Sequence, residues 1–338
     1  MEGLRRLEYR GYDAAGLAGE VAGGSIERRR TEGKVQRLGD ALSESPLSGH
    51  CGIAHTRWAT HGVPSERNAH PQVSGPGVAL VHNGIIENHE SLRRELQSRG
   101  YEFVSETDTE VVAHRIRSYL DESPDLLAAV RRTVADLEGA YALAVMSSDD
   151  PDKIVVARAG CPVVIGLGIG ENFVASDVAA LLPVTRKFIF LEEGDLALVT
   201  RGAVEIWDAA GEAVRRVAKE SALSADAMER GQYRHFMQKE IHEQPRAVAE
   251  TLSERIGAGK VLEAAFGPGA PEVFDATRAV QIVACGTSYH AGLVARYFIE
   301  RFARIPCMVE IASEYRYRQP VVPEGTLFDV AKAVGDAR

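Results

Sequence analysis

The pattern of apolar and polar positions divides the chain into stretches of different period. Residues 1–7 have helical spacing, with no capping residue ahead of them. Glu8-Tyr9-Arg10-Gly11-Tyr12-Asp13 then interrupts the approach to an apolar strand. Its local reading is a turn with Gly11 at positive φ and a hydrogen bond from Asp13. Residues 25–48 are charged and turn-rich and read as surface connection. Val78-Ala79-Leu80-Val81 is a continuous apolar run, a strand covered on both faces that delivers His82-Asn83-Gly84 at its end. Residues 89–100 read as a helix with Leu92 and Leu96 inward and Gly100 past its end, and 101–104 as a returning strand. Thr107 and Glu110 form a capping box that predicts a helix over 109–120, with Val112, Ile116 and Leu120 inward. Asp108 then falls in the first turn, where free amides favour an anion.

From 140 to 207 the rhythm changes to short strands at 141–146, 154–157, 163–167, 172–175, 188–191, 196–199 and 204–207, separated by Gly, Asp and Pro. That is the pattern of antiparallel sheets packed face to face. Residues 1–215 thus read as one α+β stacked-sheet domain with flanking helices, and 216–245 as a charged linker in which a helical region begins at Tyr233 and continues past Pro245. Residues 246–338 hold a buried parallel-type strand at 279–284, the turn Cys285-Gly286-Thr287-Ser288, a helix to 303 and a second strand at 308–311. This is the start of an α/β doubly wound domain. One such unit with a strand stub at Phe328 cannot cover both faces of a parallel sheet. The expectation is therefore a chain incomplete at both ends.

Composition narrows the function classes. Lys+Arg 39 against Asp+Glu 48 gives a net charge of -9, which repels a phosphate backbone and argues against nucleic acid. Cys51, Cys161, Cys285 and Cys307 show no C-x-x-C pair, so no disulfide framework or zinc ribbon is suggested. There is neither a signal peptide nor an apolar run near the ~20 residues of a membrane span. A soluble cytoplasmic protein, not bound to membrane, is expected.

The candidate chemistry lies in 52–88, where Arg, Trp, His, Asn and Gly crowd into two strand-like segments and the loop between them. Asn83-Gly84 offers a side-chain amide and a backbone N–H close together, the pair of donors a tetrahedral oxyanion needs. Arg57 suits a bidentate grip on a carboxylate and Asp108 could hold an ammonium, so together they fit both ends of an amino acid. The alternative is a structural Arg-Asp ion pair beside an Asn-Gly turn. Six of the ten histidines fall between His50 and His89, but at spacings that fit no helical pair and without an acidic cluster, so no metal is expected. Cys51 is the nearest thiol, yet no His-Asp pairing accompanies it. In the second domain Gly286, Thr287 and Ser288 form either an anion cradle for a sugar phosphate or an ordinary helix cap.

Arg10-Gly11-Tyr12-Asp13, His55-Thr56-Arg57-Trp58-Ala59-Thr60-His61-Gly62, Asn68-Ala69-His70-Pro71, His82-Asn83-Gly84-Ile85-Ile86-Glu87-Asn88 and Ser105-Glu106-Thr107-Asp108-Thr109-Glu110 closely resemble the glutamine:fructose-6-phosphate aminotransferases (isomerizing), the glucosamine-6-phosphate synthases. The likeness runs on through 233–245 and Cys285-Gly286-Thr287-Ser288 to Arg318. It implies an N-terminal-nucleophile-hydrolase-like glutaminase domain followed by the start of a sugar isomerase domain. By resemblance, Arg57 and Asp108 hold glutamine with Thr60 and His61 beside them, and Asn83 and Gly84 form the oxyanion hole. Arg10 lies near the nucleophile, Trp58 gates ammonia, and Gly286, Thr287 and Ser288 meet fructose 6-phosphate. The family is cytoplasmic, generally a homodimer, and needs no metal or organic cofactor. Its nucleophile is a cysteine at residue 1 whose own amine is the base, opening a strand ahead of the helix at which this chain starts. Residues after Phe328 also depart from the family's Ser/Thr-rich phosphate loop. The resemblance therefore implies an inactive, doubly truncated fragment. The alternatives are a non-catalytic sugar-phosphate-binding protein and another class II glutamine amidotransferase.

Overall fold

The computed structural model describes residues 1–8, 13–21, 24–57, 63–75, 77–221, 233–253, 256–257, 260–261 and 270–331. Two compact units divide between Glu229 and Arg230. The first opens with α1 (Glu2–Leu7), β1 (Ala14–Glu20), β2 (Ile26–Glu32), α2 (Val35–Glu44), β3 (Gly52–Arg57), β4 (Gln72–Ser74) and β5 (Val78–Ile86). Three helices follow, α3 (His89–Ser98), α4 (Thr109–Leu120) and α5 (Leu126–Asp136). The strands β6 (Gly139–Ser147), β7 (Asp150–Ala159), β8 (Val164–Leu167), β9 (Asn172–Ala175), β10 (Lys187–Phe190), β11 (Leu196–Thr200), β12 (Val204–Trp207), β13 (Ala213–Val214) and β14 (Lys219–Glu220) complete it.

One layer is a seven-stranded antiparallel sheet in the order β13-β12-β11-β7-β6-β5-β4. Its outer face takes α4 and α5, where Ile116 and Leu126 are fully buried among Val78, Leu80, Leu143 and Val155. Each such side chain contributes about 1.5–3 kcal/mol on leaving water. The facing layer is two antiparallel sheets, β2-β1-β3 and β14-β10-β8-β9. On its outer side α1 and α2 cover β1 through Leu4, Val35 and Leu38.

The two sheets of this layer share a floor and a roof. Below, Ile154 of β7 packs both against the cluster of Ala18 and Ile53 and against that of Ile165 and Ile189. Above, Leu4 of α1 joins the β1 side and Leu7 the side of Phe188 and Leu181. β3 lies over β5 and β6 while β9 lies over β11.

The stacked sheets match the sequence reading, with four local corrections. Residues 25–48 are not surface connection: β2 pairs along the whole of β1, and α2 follows. β5 does not stop before His82 but runs to Ile86, with Asn83 opposite Ala142 and Gly84 opposite Tyr141, so Asn83-Gly84 is no turn. Residues 101–104 join no ladder among the described residues; the Val104 and Ser105 amides donate instead to the buried Glu110 carboxylate at 2.9 and 2.7 Å. Only half of the capping box forms, with the Glu110 amide donating to Thr107 Oγ1 at 3.3 Å, and Asp108 takes the N-cap position itself.

The second unit contains α6 (Phe236–Ser253), which runs through Pro245 and across the boundary drawn there from sequence. After the short pair β15 (Ile256–Gly257) and β16 (Lys260–Val261) come α7 (Ala270–Ala276), β17 (Ala279–Ala284), α8 (Gly286–Phe298), β18 (Cys307–Ile311), α9 (Ala312–Tyr317) and β19 (Thr326–Ala331). β17 is flanked in parallel by β18 and β19, as expected of a doubly wound start. α8 packs Ala295 onto Val280, Ile282 and Val309.

Candidate active site

Arg57 ends β3, opposite Ala14 of β1, and is 4% exposed. Burial lowers its pKa against the opposing pull of Asp108, Asp13 and Glu106. Asp108, also 4% exposed, caps α4 and accepts the Ile86 amide at 2.9 Å. That bond ties the carboxylate to the strand bearing Asn83 and Gly84. A guanidinium and a carboxylate, both withdrawn from water, thus lie within electrostatic reach of one another beside the strand that carries Asn83 and Gly84. Such an arrangement can hold a zwitterion and stabilise a developing oxyanion beside it.

Gly84 has φ +126, and a Cβ there would lie 2.0 Å from the Ala140 carbonyl oxygen on β6. Only glycine fits, and the unusual φ turns its peptide out of the regular pleat. At Asn83 the side-chain Oδ1 lies 2.8 Å from His55 Nε2. The His55 ring stacks on His70 with centroids 4.6 Å apart. His70 Nε2 and His82 Nδ1 each lie 2.9 Å from Thr109 Oγ1, and His82 Nδ1 is 4.0 Å from Asp108 Oδ2. Burial pushes the His55 pKa down to about 4 and that of His70 well below its ordinary value, so these two imidazoles are uncharged at neutral pH.

The loop carrying His70 is clamped by Arg28 and Arg30, far away in sequence, and by Gln72 beside it. Arg30 donates to the Arg67 and Ala69 carbonyls at 3.0 Å each, Arg28 to the Pro71 carbonyl at 3.2 Å, and Gln72 to the Ala69 carbonyl at 3.1 Å. Asn68 is fully buried, donates to Glu106 and accepts the Glu106 amide at 3.0 Å, which fixes the approach to Asp108.

The structure brings Arg57, Asn83, Gly84 and Asp108 together. Arg10, Trp58, Thr60 and His61 lie outside the described residues. His55, His70, His82 and Thr109 were not singled out from sequence; the crowding of histidines was a usable signal, weighed there only for metal. Among the described residues no group of three or more His, Cys, Asp or Glu is disposed to hold a metal ion. Cys51 stands at the other end of β3 from Arg57, about 20 Å away at ~3.3 Å per residue. Burial, with Glu20 and Asp152 nearby, pushes its thiol up to about 11. Cys161 is buried, and Cys285 and Cys307 belong to the second unit. In that unit Gly286 has φ +56 at the start of α8, Thr287 is exposed and Ser288 half-buried.

Residues 55–183 match the glutamine amidotransferase domain family. Glutamine–fructose-6-phosphate aminotransferase [isomerizing] of Pseudomonas putida is 57% identical over 328 residues, covering 97% of this chain and 54% of that protein. The enzyme of the same name from Escherichia coli K12 is 56% identical over 99% of this chain and 55% of its own length. The chain thus spans about half the length of the curated relatives it matches. The solved glutamine phosphoribosylpyrophosphate amidotransferase of B. subtilis superposes with a TM-score of 0.55 at 20% identity, covering 96% of this chain and 65% of that one, and shares the fold. No described helix is long and apolar enough to cross a membrane. By these matches residues 55–183 carry a glutamine amidotransferase domain, and the chain is a relative of the glutamine–fructose-6-phosphate aminotransferases (isomerizing).

Proposed function

We propose that the first unit binds glutamine for an enzyme that makes glucosamine 6-phosphate from fructose 6-phosphate and glutamine. The observation that carries this reading is the convergence of buried Arg57 and Asp108 on the strand holding Asn83 and Gly84. Arg57 grips the α-carboxylate and Asp108 the ammonium. When a thiol attacks the side-chain amide carbon, Asn83 Nδ2–H and Gly84 N–H donate to the oxyanion, and the C–N bond then breaks to release ammonia. Thr60 and His61 are assigned beside glutamine, Arg10 near the thiol, and Trp58 as the gate for ammonia. Gly286, Thr287 and Ser288 are assigned to the sugar phosphate in a sugar isomerase domain, and the whole enzyme to a cytoplasmic homodimer.

The attacking thiol is assigned neither to Cys51, which is remote from Arg57 and held in its protonated form, nor to Cys161, which is buried. The 338-residue chain is therefore expected to bind glutamine without hydrolysing it. Incubation with glutamine and assay of glutamate checks this; release of glutamate by the purified chain would contradict it. Calorimetry with fructose 6-phosphate separates this reading from a non-catalytic sugar-phosphate-binding protein: sub-millimolar binding supports the latter, and no binding leaves the fragment reading.

A further inference from the structure

We propose that His55 is a positioning residue for the oxyanion hole: its Nε2–H holds Asn83 Oδ1, so that the Asn83 amide presents N–H rather than oxygen to the substrate. This rests on the assignment of Asn83 to the oxyanion. A carboxamide has a donor end and an acceptor end, and half a turn about its last bond exchanges them. With nitrogen toward the reacting carbonyl, Asn83 stabilises the oxyanion; with oxygen there, it repels it.

What fixes the choice is the partner at the far end. Asn83 Oδ1 lies 2.8 Å from His55 Nε2. Among the described residues His55 Nδ1 is buried and meets no hydrogen-bond partner, and the His82 backbone near the ring raises its pKa, as a carbonyl acceptor does. Neutral imidazole carries one N–H, and the well-formed contact is the one to Asn83, which places that proton on Nε2. The ring itself is held flat on His70 at 4.6 Å, and His70 is fixed through Thr109 Oγ1, next in sequence to Asp108. His55, His70 and Thr109 thus connect the oxyanion donor to the group assigned to the ammonium of the same substrate. Register adds to this: β3 carries both Arg57 and His55, two residues apart and so on one face of the strand, so the carboxylate grip and the amide lock come from one element.

The test uses the full 338-residue chain labelled with nitrogen-15. Long-range proton–nitrogen correlation at neutral pH, with His55→Gln identifying the signal, is expected to show His55 as the Nε2–H tautomer. The Nδ1–H tautomer would overturn the proposal, because Asn83 would then donate to the ring and turn its oxygen to the substrate. Glutamine affinity supplies the second readout. His55→Leu is expected to weaken binding about tenfold, the worth of one well-placed hydrogen bond. His55→Gln, whose Nε2 also donates, should restore it to within about threefold. Equal loss in both variants, or none in either, would reduce His55 to packing and overturn the proposal. If the unsubstituted chain binds no glutamine, the assignment of the site fails instead, and the tautomer still decides how Asn83 is held.

Discussion

At Gly84 one missing methyl group decides the local structure. A Cβ would meet the Ala140 carbonyl oxygen at 2.0 Å with φ at +126. Gly84→Ala is therefore expected to cost about 2–4 kcal/mol, read as a lowered urea midpoint, or to push β5 away from β6. An unchanged midpoint would show that the strand relaxes freely. Asn83, Gly84, Arg57 and Asp108 were legible in the sequence because polar residues and glycine stand where a packed strand would place aliphatics. The imidazole bed beneath them was not. Its members are 15 and 12 residues apart along the chain, at positions 55, 70 and 82, and only the stacking of β3 on β5 and the folding of the intervening loop bring them together.

At the level of elements, the hydrophobic pattern located the strands that bury apolar side chains and missed the one that does not. In Ile26–Glu32 the alternation is there but written in arginine: Arg28 and Arg30 reach the 67–71 loop, while Arg29 turns the other way to Ser45. A period of two among charged residues is invisible to a hydrophobic scan. The helix after it was readable, since Val35, Leu38 and Leu42 recur at helical spacing, but the surrounding charge masked it. The opposite error at 101–104 has a different cause. Tyr101 and Phe103 look like strand, yet no described strand lies alongside, and Glu110 supplies the acceptors instead. Glu110 is 1% exposed and also accepts from Ser105 Oγ at 2.7 Å. Glu110→Ala is expected to leave these donors unsatisfied, costing about 2–4 kcal/mol, with amide exchange accelerated first across 101–108. Exchange confined to the termini would show that water replaces the carboxylate without loss.

For the whole molecule, the two stacked layers and the parallel start of the second unit followed from strand rhythm alone. The division of the facing layer into two sheets did not, because pairing between strands distant in sequence leaves no local mark. The neutral histidines set the acid limit of the first unit. His55 titrates near 4 in the fold and near 6.5 when exposed, so between those values the unfolded chain takes up the proton more readily. The stability this contributes is complete above about pH 6.5 and is lost as the pH falls toward 4, up to about 3 kcal/mol from His55, with His70 acting in the same direction. Urea midpoints at pH 7.5 and 4.5 should differ accordingly, and by less in His55→Gln, where His70 still contributes.

Calorimetric titration of the chain and of Arg57→Ala with glutamine, and with 4-aminobutanamide, which is glutamine without its carboxylate, tests the substrate assignment most directly. The buried charge pair predicts that Arg57→Ala weakens glutamine at least tenfold and leaves the affinity for 4-aminobutanamide nearly unchanged, since the two deletions remove the same contact. Equal binding of glutamine by both proteins, or equal losses for both ligands, would contradict it.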